Sequence, residues 1–374
     1  LADVGGGLMT IKMFIFNTTN NKEYDVSNLV GNIEYTTTMD AQPGTLNFSL
    51  EPDPNGIIKI ANGSCVKLWI NGSGTFLGYI VTVGTDATGI HVVTAYDQTF
   101  YLKNEVVMTT RRKSASAWFK TICKKYKFNY KVKVSSKYVV PACFHDKESL
   151  WSVLTYLIDT TNTATKKNYF IQDQFGKILF TERLEYWTNL IIGEKSLLMD
   201  YQFETSIESD TANVIKLYAT NKKGKVKLRT TRQSKKTQMK WGTLYYVQDV
   251  DDYKSLKDTA KNAKAAWQKE KDAAKRAEKK AVWKEAVKLM NAAKTSKIRK
   301  LASDLLKLKN KETKSVSLNI NATGIDKAKN LTAGSSFILD LQDRVGVRQR
   351  MYVHSATHFY GKDTHLISLE VTYE

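Results

Sequence analysis

Between residues 9 and 105 apolar and polar positions alternate in short runs. In TLNFSL, Leu46, Phe48 and Leu50 alternate with polar residues, and Val66, Leu68 and Ile70 do so in CVKLWI. FLGYIVTV and GIHVVTAY continue the pattern on either side of GTDATG. A period of two, broken by Asn, Gly and Asp, predicts antiparallel strands of a barrel or sandwich.

The period changes near residue 106. In SASAWFKTICKKY, Ser114 is a cap candidate, and Trp118, Ile122 and Tyr126 follow at helical spacing. DKESLWSVLTYLIDTT carries Leu150, Val153, Leu154, Leu157 and Ile158 on one stripe, with Asp146 as its candidate cap. NYFIQD and KILFTE predict a hairpin around QFGK. Residues 106–200 therefore read as a small α/β domain.

Residues 201–250 return to strands, among them ANVIKLYAT and KVKLRTT joined by NKKGK. From about Tyr253 to Lys311 the chain is rich in Ala, Lys, Leu and Glu, good helix formers. Val282, Ala286, Leu289 and Ala293 step 4-3-4, and Ile298, Leu301, Leu305 and Leu308 step 3-4-3. The five-residue step between these seams predicts a break at Thr295–Ser296, with Ser296 as a helix cap. SVSLNINATG, SSFILDLQD, RMYVHSATHFY and HLISLEVTY are strands again. The expected class is α+β: two antiparallel β-barrel domains (9–105, and 201–250 plus 313–374) flanking the α/β domain. A basic helical insertion (251–312) interrupts the second barrel. Residues 1–8, before Met9, read as an added or start-site remnant.

Composition sharpens this only in part. At 374 residues, 42% hydrophobic and 11% aromatic, the chain suits two or three domains with their own cores. Its apolar runs fall short of the ~18–20 residues a membrane helix needs, and the first residues lack a basic flank, so no membrane span or signal peptide is expected. Cys65, Cys123 and Cys143 show no disulfide or zinc spacing, and reduced thiols in a cytosolically made protein are expected. The net charge is +20, and 261–300 alone holds fourteen basic residues against four acidic. Residues 220–240 hold nine basic and no acidic residues. Basicity is thus local.

The histidines are the first candidates for chemistry. His354, His358 and His365 share one C-terminal stretch. On a strand the H-x-x-x-H pair spans ~13 Å, whereas the ligands of one zinc lie ~2 Å from it. Pairing Met351, Val353 and Phe359 with His365, Ile367, Leu369, Val371 and Tyr373 through an odd-length turn predicts His354 and His358 on the face opposite His365. No metal site is expected. NGSGTFLG (Gly72, Gly74, Gly78) lacks the Lys-Ser/Thr of a phosphate loop and reads as a hairpin turn. In ACFHD, Cys143 and His145 suggest a nucleophile and base without a third, orienting residue. Glu182/Glu185 and Asp249/Asp251/Asp252 read as solvated carboxylates. No catalytic residue and no cofactor is expected. The basic stretches leave a partner contact open at Lys222, Lys223, Lys225, Trp267, Lys275, Lys279, Trp283 and Lys284. A solvated helix or helical hairpin and a nucleic-acid contact are the two readings, and interspersed Glu and Asp favour the first.

An ordered series of segments resembles one family: AYDQTFYLKN (95–104), MDYQFETSIESDTANVIKL (199–217), KWGTLYYVQDVDD (240–252), LLKLKNKETKSVSLNI (305–320) and the closing YVHSATHFYGKDTHLISLEV. It is similar to the XkdQ/YqbQ-type hub proteins of prophage contractile tails, from about Thr10 onward. The resemblance implies a structural baseplate hub of a contractile phage tail or tail-like bacteriocin. A homotrimeric ring of six barrels would adapt the six-fold tube to the three-fold spike. Implied partners are itself, the tail tube protein, the central spike protein, baseplate wedge or other tail components, and the tape measure protein. Synthesis in the bacterial cytoplasm and assembly into the tail are implied with it. In that family the helix before LKNKETKS is short, so 260–297 reads as an added arm. The competing functions are a tail-associated cell-wall hydrolase and a nucleic-acid-binding module.

Overall fold

The computed structural model describes residues 9–372 other than 209–210, 221–225, 250–251, 270–278, 281–282 and 285–296. The chain divides into a first unit, Leu1–Phe203 with Ser315–Glu374, and a second, Glu204–Lys314.

The first unit opens with β1 (Ile11–Asn17), β2 (Lys22–Asp25), β3 (Val30–Thr38), β4 (Thr45–Leu50), β5 (Cys65–Ile70), β6 (Ser73–Thr85) and β7 (His91–Asp97). Alternation decides which face they bury: Leu46, Phe48, Leu50, Val66, Leu68 and Ile70 all enter one core with Met13, Ile15 and Val93. Asn71 and Gly72 alone join β5 to β6, at φ +48° and +74°. That is the left-handed pair an Asn-Gly hairpin turn requires.

Next come β8 (Glu105–Thr110), β9 (Lys113–Ser114), α1 (Ala115–Lys125), β10 (Tyr130–Val132), β11 (Val139–Val140), β12 (Cys143–Ser149), α2 (Leu150–Thr165), β13 (Tyr169–Asp173) and β14 (Ile178–Glu182). Ser114 Oγ accepts from Ala117 N at 3.3 Å, the predicted cap of α1. α2 starts later than predicted. Asp146 lies in β12, whose pairing with β8 runs on through a bulge to Ser149, and Ser149 Oγ caps the helix from Ser152 N at 3.0 Å. Phe119, Ile122, Leu154, Leu157 and Phe180 close this second core.

β15 (Trp187–Gly193) and β16 (Leu198–Ser206) lead out of the first unit. The chain returns to the first unit at Ser315. The second unit holds β17 (Val214–Thr220), β18 (Val226–Gln233), α3 (Lys235–Trp241), β19 (Tyr245–Asp249), α4 (Asp252–Lys269) and α5 (Lys297–Lys309). Its sheet has the order β18-β17-β19. The strands read at 214–249 thus pair with one another and not with the C-terminal strands. On α5, Ala302, Leu305 and Leu306 share a face at three- and four-residue spacing and pack on Ile215 and Leu217.

β20 (Thr313–Asn321), β21 (Ser336–Leu341), α6 (Gln342–Val345), β22 (Val347–Tyr360) and β23 (His365–Thr372) finish the chain. β15 contributes Leu190 and Ile192 to their core beside Leu318, Phe337 and Leu369. Hence the C-terminal β region recruits residues from 187 onward, not only from 201. β22 pairs with β3, from Ser355↔Thr38 to Tyr360↔Ile33. One thirteen-stranded sheet therefore carries both β regions of the first unit. The chain is mostly antiparallel β with few helices; among the described residues β10–β14, β15–β21 and β17–β19 pair in parallel.

Candidate functional site

The histidines overturn the register expected for them. Four residues, 361–364, join β22 to β23, and Tyr360 pairs with His365. A bulge between Val353 and Ser355 inserts His354 into β22. Met351 and Val353 face the core before it; Ala356, His358 and Tyr360 face the core after it, and Phe359 turns outward. His358 and His365 therefore share the buried face. His354 points away and contacts Asp40 Oδ2 at 3.1 Å.

His358 Nδ1 lies 2.9 Å from His365 Nε2, and His358 Nε2 lies 3.0 Å from the Leu331 carbonyl. A carbonyl only accepts, so His358 carries its proton on Nε2 and its Nδ1 accepts from His365 Nε2–H. Burial pulls His358 down to about 4. Burial, and then the neighbouring His358, pulls His365 down to about 3. Both rings are neutral near pH 7 and stack with Tyr360. The arrangement is two rings in a core, with the Leu331 carbonyl fixing the tautomer of His358 and His358 fixing that of His365. Among the described residues no group of three or more His, Cys, Asp or Glu suits a metal ion.

A second buried polar cluster went unnoticed in the sequence. Asp97 accepts from Gly44 N and Thr99 N, each at 2.8 Å. Asp173 accepts from Gln98 Nε2 at 3.0 Å and Gly176 N at 2.8 Å. Burial raises both carboxyls, and the charge of Asp173 raises Asp97 further. The cluster ties β7 to the β13–β14 hairpin. Its one sequence signal is the polar DQ dipeptide that ends the alternating run of β7.

The remaining candidates separate. His145 is buried with Thr110 Oγ1 3.1 Å from Nε2 and Glu148 Oε2 2.8 Å from Nδ1. Both nitrogens are thus engaged away from Cys143, whose Sγ contacts the Phe144 carbonyl. Glu182 is not solvated as expected: it is buried against Lys167 at 2.8 Å, whereas Glu185 is exposed. A cavity of about 320 Å³ beside β15 and β21 is lined by Ile191, Glu194, Lys195, Asp340, Asp343 and Arg348. Lys195 pairs with Asp343 at 2.8 Å and Arg348 with Asp340 at 3.5 Å, and Glu194 faces Arg344 at 3.7 Å.

Of the expected partner-contact residues, Lys222, Lys223, Lys225 and Lys275 lie outside the described residues. So do Val282, Ala286, Leu289, Ala293, Ser296, Tyr373, Asp251 and the side chains of Asp249 and Asp252. Trp267 and Trp283 stack with centroids 5.0 Å apart and planes 8° apart. Lys280 sits over Trp267 at 5.6 Å and Lys264 over Trp283 at 5.9 Å. Lys284 is exposed and Lys279 half-buried. Among the described residues no helix is long and apolar enough to cross a membrane.

The sequence model of the YQBQ-like family matches residues 33–288 and 282–372. No curated protein matches the chain. The fold is similar to the prophage MuSo2 43 kDa tail protein of Shewanella oneidensis, with TM-score 0.62 and 10% identity over 96% of this chain and 98% of that one. A tail protein of Neisseria meningitidis MC58 gives 0.59 and 8% identity over 97% of each chain. Prophage tail protein gp18 of Listeria monocytogenes EGD-e gives 0.53 and 11% identity, over 96% of this chain and 94% of that one.

Proposed function

Because the chain belongs to the YQBQ-like family, we propose that it is a structural protein of a contractile phage tail or tail-like bacteriocin, acting as the baseplate hub. In this reading the N-terminal strands and the C-terminal strands form two barrels of a tube-like kind. Three subunits make a ring between six-fold tube and three-fold spike. Baseplate wedge or other tail components and the tape measure protein are its further partners. The observation that carries the reading is the family match across both β regions, joined here into one sheet by β22 and β3. Such a role asks for surfaces and symmetry and for no catalysis.

The test is the solution mass of the purified chain, together with labelling of the protein in assembled particles. A trimer and a label at the distal end of the tail tube are expected. A stable monomer that joins no particle would overturn the hub reading. Release of peptidoglycan fragments by the purified chain would replace it with a hydrolase.

A further inference from the structure

The second unit, 204–314, holds thirty Lys and Arg against thirteen Asp and Glu, so +17 of the chain's +20 resides there. Its sheet is asymmetric. On one face α5 covers Ile215, Leu217 and Tyr246. β19 runs parallel to β17 in the register Ile215↔Tyr246 and Lys216↔Val247. Tyr245 and Val247 alternate with Tyr246 and so turn to the other face. They are 58% and 56% exposed. Lys216 Nζ stands 4.1 Å from the Tyr245 ring centroid. β19 is also a terminal strand, and among the described residues it pairs with β17 alone. One row of its backbone N–H and C=O groups is left outside the ladder.

We propose that β19 is a docking edge for an extended acidic segment of a partner protein, which adds to the sheet as a fourth strand. Main-chain hydrogen bonds to the open edge supply affinity. Apolar side chains at alternate positions of the added strand cover Tyr245 and Val247. Carboxylates between them meet Lys216 and the wider positive field of the unit.

Charge selects the occupant. A second copy would bring +17 against +17, and like charges suppress that pairing. A nucleic acid would be read through free aromatic faces and lysines. Here Trp267 and Trp283 stack on each other with Lys280 and Lys264 over the pair, Lys216 sits over Tyr245, and the strand displays Val247. Exposed apolar side chains within a charged surround fit a protein partner. The inference stands whether or not the hub reading holds.

The experiment uses the full chain and a short fluorescent peptide of alternating Glu and Val, followed by anisotropy. Three comparison probes are the same peptide N-methylated at alternate amides, a Lys-Val peptide, and a short single-stranded DNA. The Glu-Val peptide should bind and slow amide exchange at 245–249. N-methylation should weaken it by about tenfold or more, since it removes main-chain donors along one edge. Val247→Glu should weaken it similarly, and Tyr245→Ser gives a second variant should Val247→Glu disturb the strand. Equal binding of the methylated and unmethylated peptides would overturn strand addition. Absence of Glu-Val binding to the folded chain, or a single-stranded DNA that binds more tightly and loses affinity with Val247→Glu, would overturn the acidic-peptide assignment.

Discussion

His358 and His365 make stability depend on pH in a definite sense. Their folded pKa values lie below the ~6.5 of an unfolded histidine, at about 4 and about 3. Their contribution is complete above pH ~6.5 and declines as pH falls toward those values, because only the unfolded chain takes up protons there. Asp97 and Asp173 act oppositely. Their carboxyls are raised, so their contribution is complete below the ~3.9 of a free carboxylate and is lost as pH rises through the folded values. Asp173→Asn keeps an acceptor for Gly176 N, gives up the one for Gln98 Nε2 and removes the charge facing Asp97. Thermal melts should show the stability of this variant relative to the unsubstituted chain rising by roughly 1–3 kcal/mol from pH 4 to pH 8. His365→Gln should flatten the wild-type loss of melting temperature between pH 6.5 and 4. Unchanged pH profiles for both variants would contradict the burial argument.

At the scale of elements, caps and bulges decide what a sequence reveals. Ser114 was legible because the strand that ends on it is two residues long and the helical stripe begins at once. Asp146 misled because β12 bulges between His145 and Glu148 and stays paired to Ser149. Ser149→Ala should therefore cost about 1 kcal/mol in denaturant unfolding, and Asp146→Ala much less. The Asn71-Gly72 turn was legible, since left-handed φ at two successive positions selects those residues. The bulge at His354 was not. An extra residue in a strand carries no compositional mark, yet it reverses which residues face the core for the rest of β22. The buried His pair was hidden for that reason. Deleting His354 should restore unbroken alternation, with Val353, Ala356, His358 and Tyr360 still facing the core, and retained cooperative melting is the expected readout.

For the whole molecule, charge and fold part company. The first unit carries the three large apolar cores at a net charge of +3, and the second unit carries the rest. Deletion of 260–297 removes Trp267 and Trp283 together and leaves α5 and its packing on Ile215 and Leu217 in place. Circular dichroism and solution mass should show a folded chain with the wild-type oligomeric state, and particle assembly should fail. If the deleted chain does not fold, the arm belongs to a core.

The pairing of β3 with β22 has a consequence for biogenesis. Thr36 and Thr357 touch through their hydroxyls at 3.0 Å across 321 positions of sequence. While the ribosome is still making the middle of the chain, β3 has its β4 neighbour and lacks its β22 neighbour. The nascent chain thus displays an unfinished sheet edge until β22 emerges, more than 300 residues after β3, and late long-range closure of this kind is slow and prone to aggregation. Chains stopped before Val347 should accumulate as insoluble material or on chaperones, whereas chains shortened only within 260–297 should stay soluble.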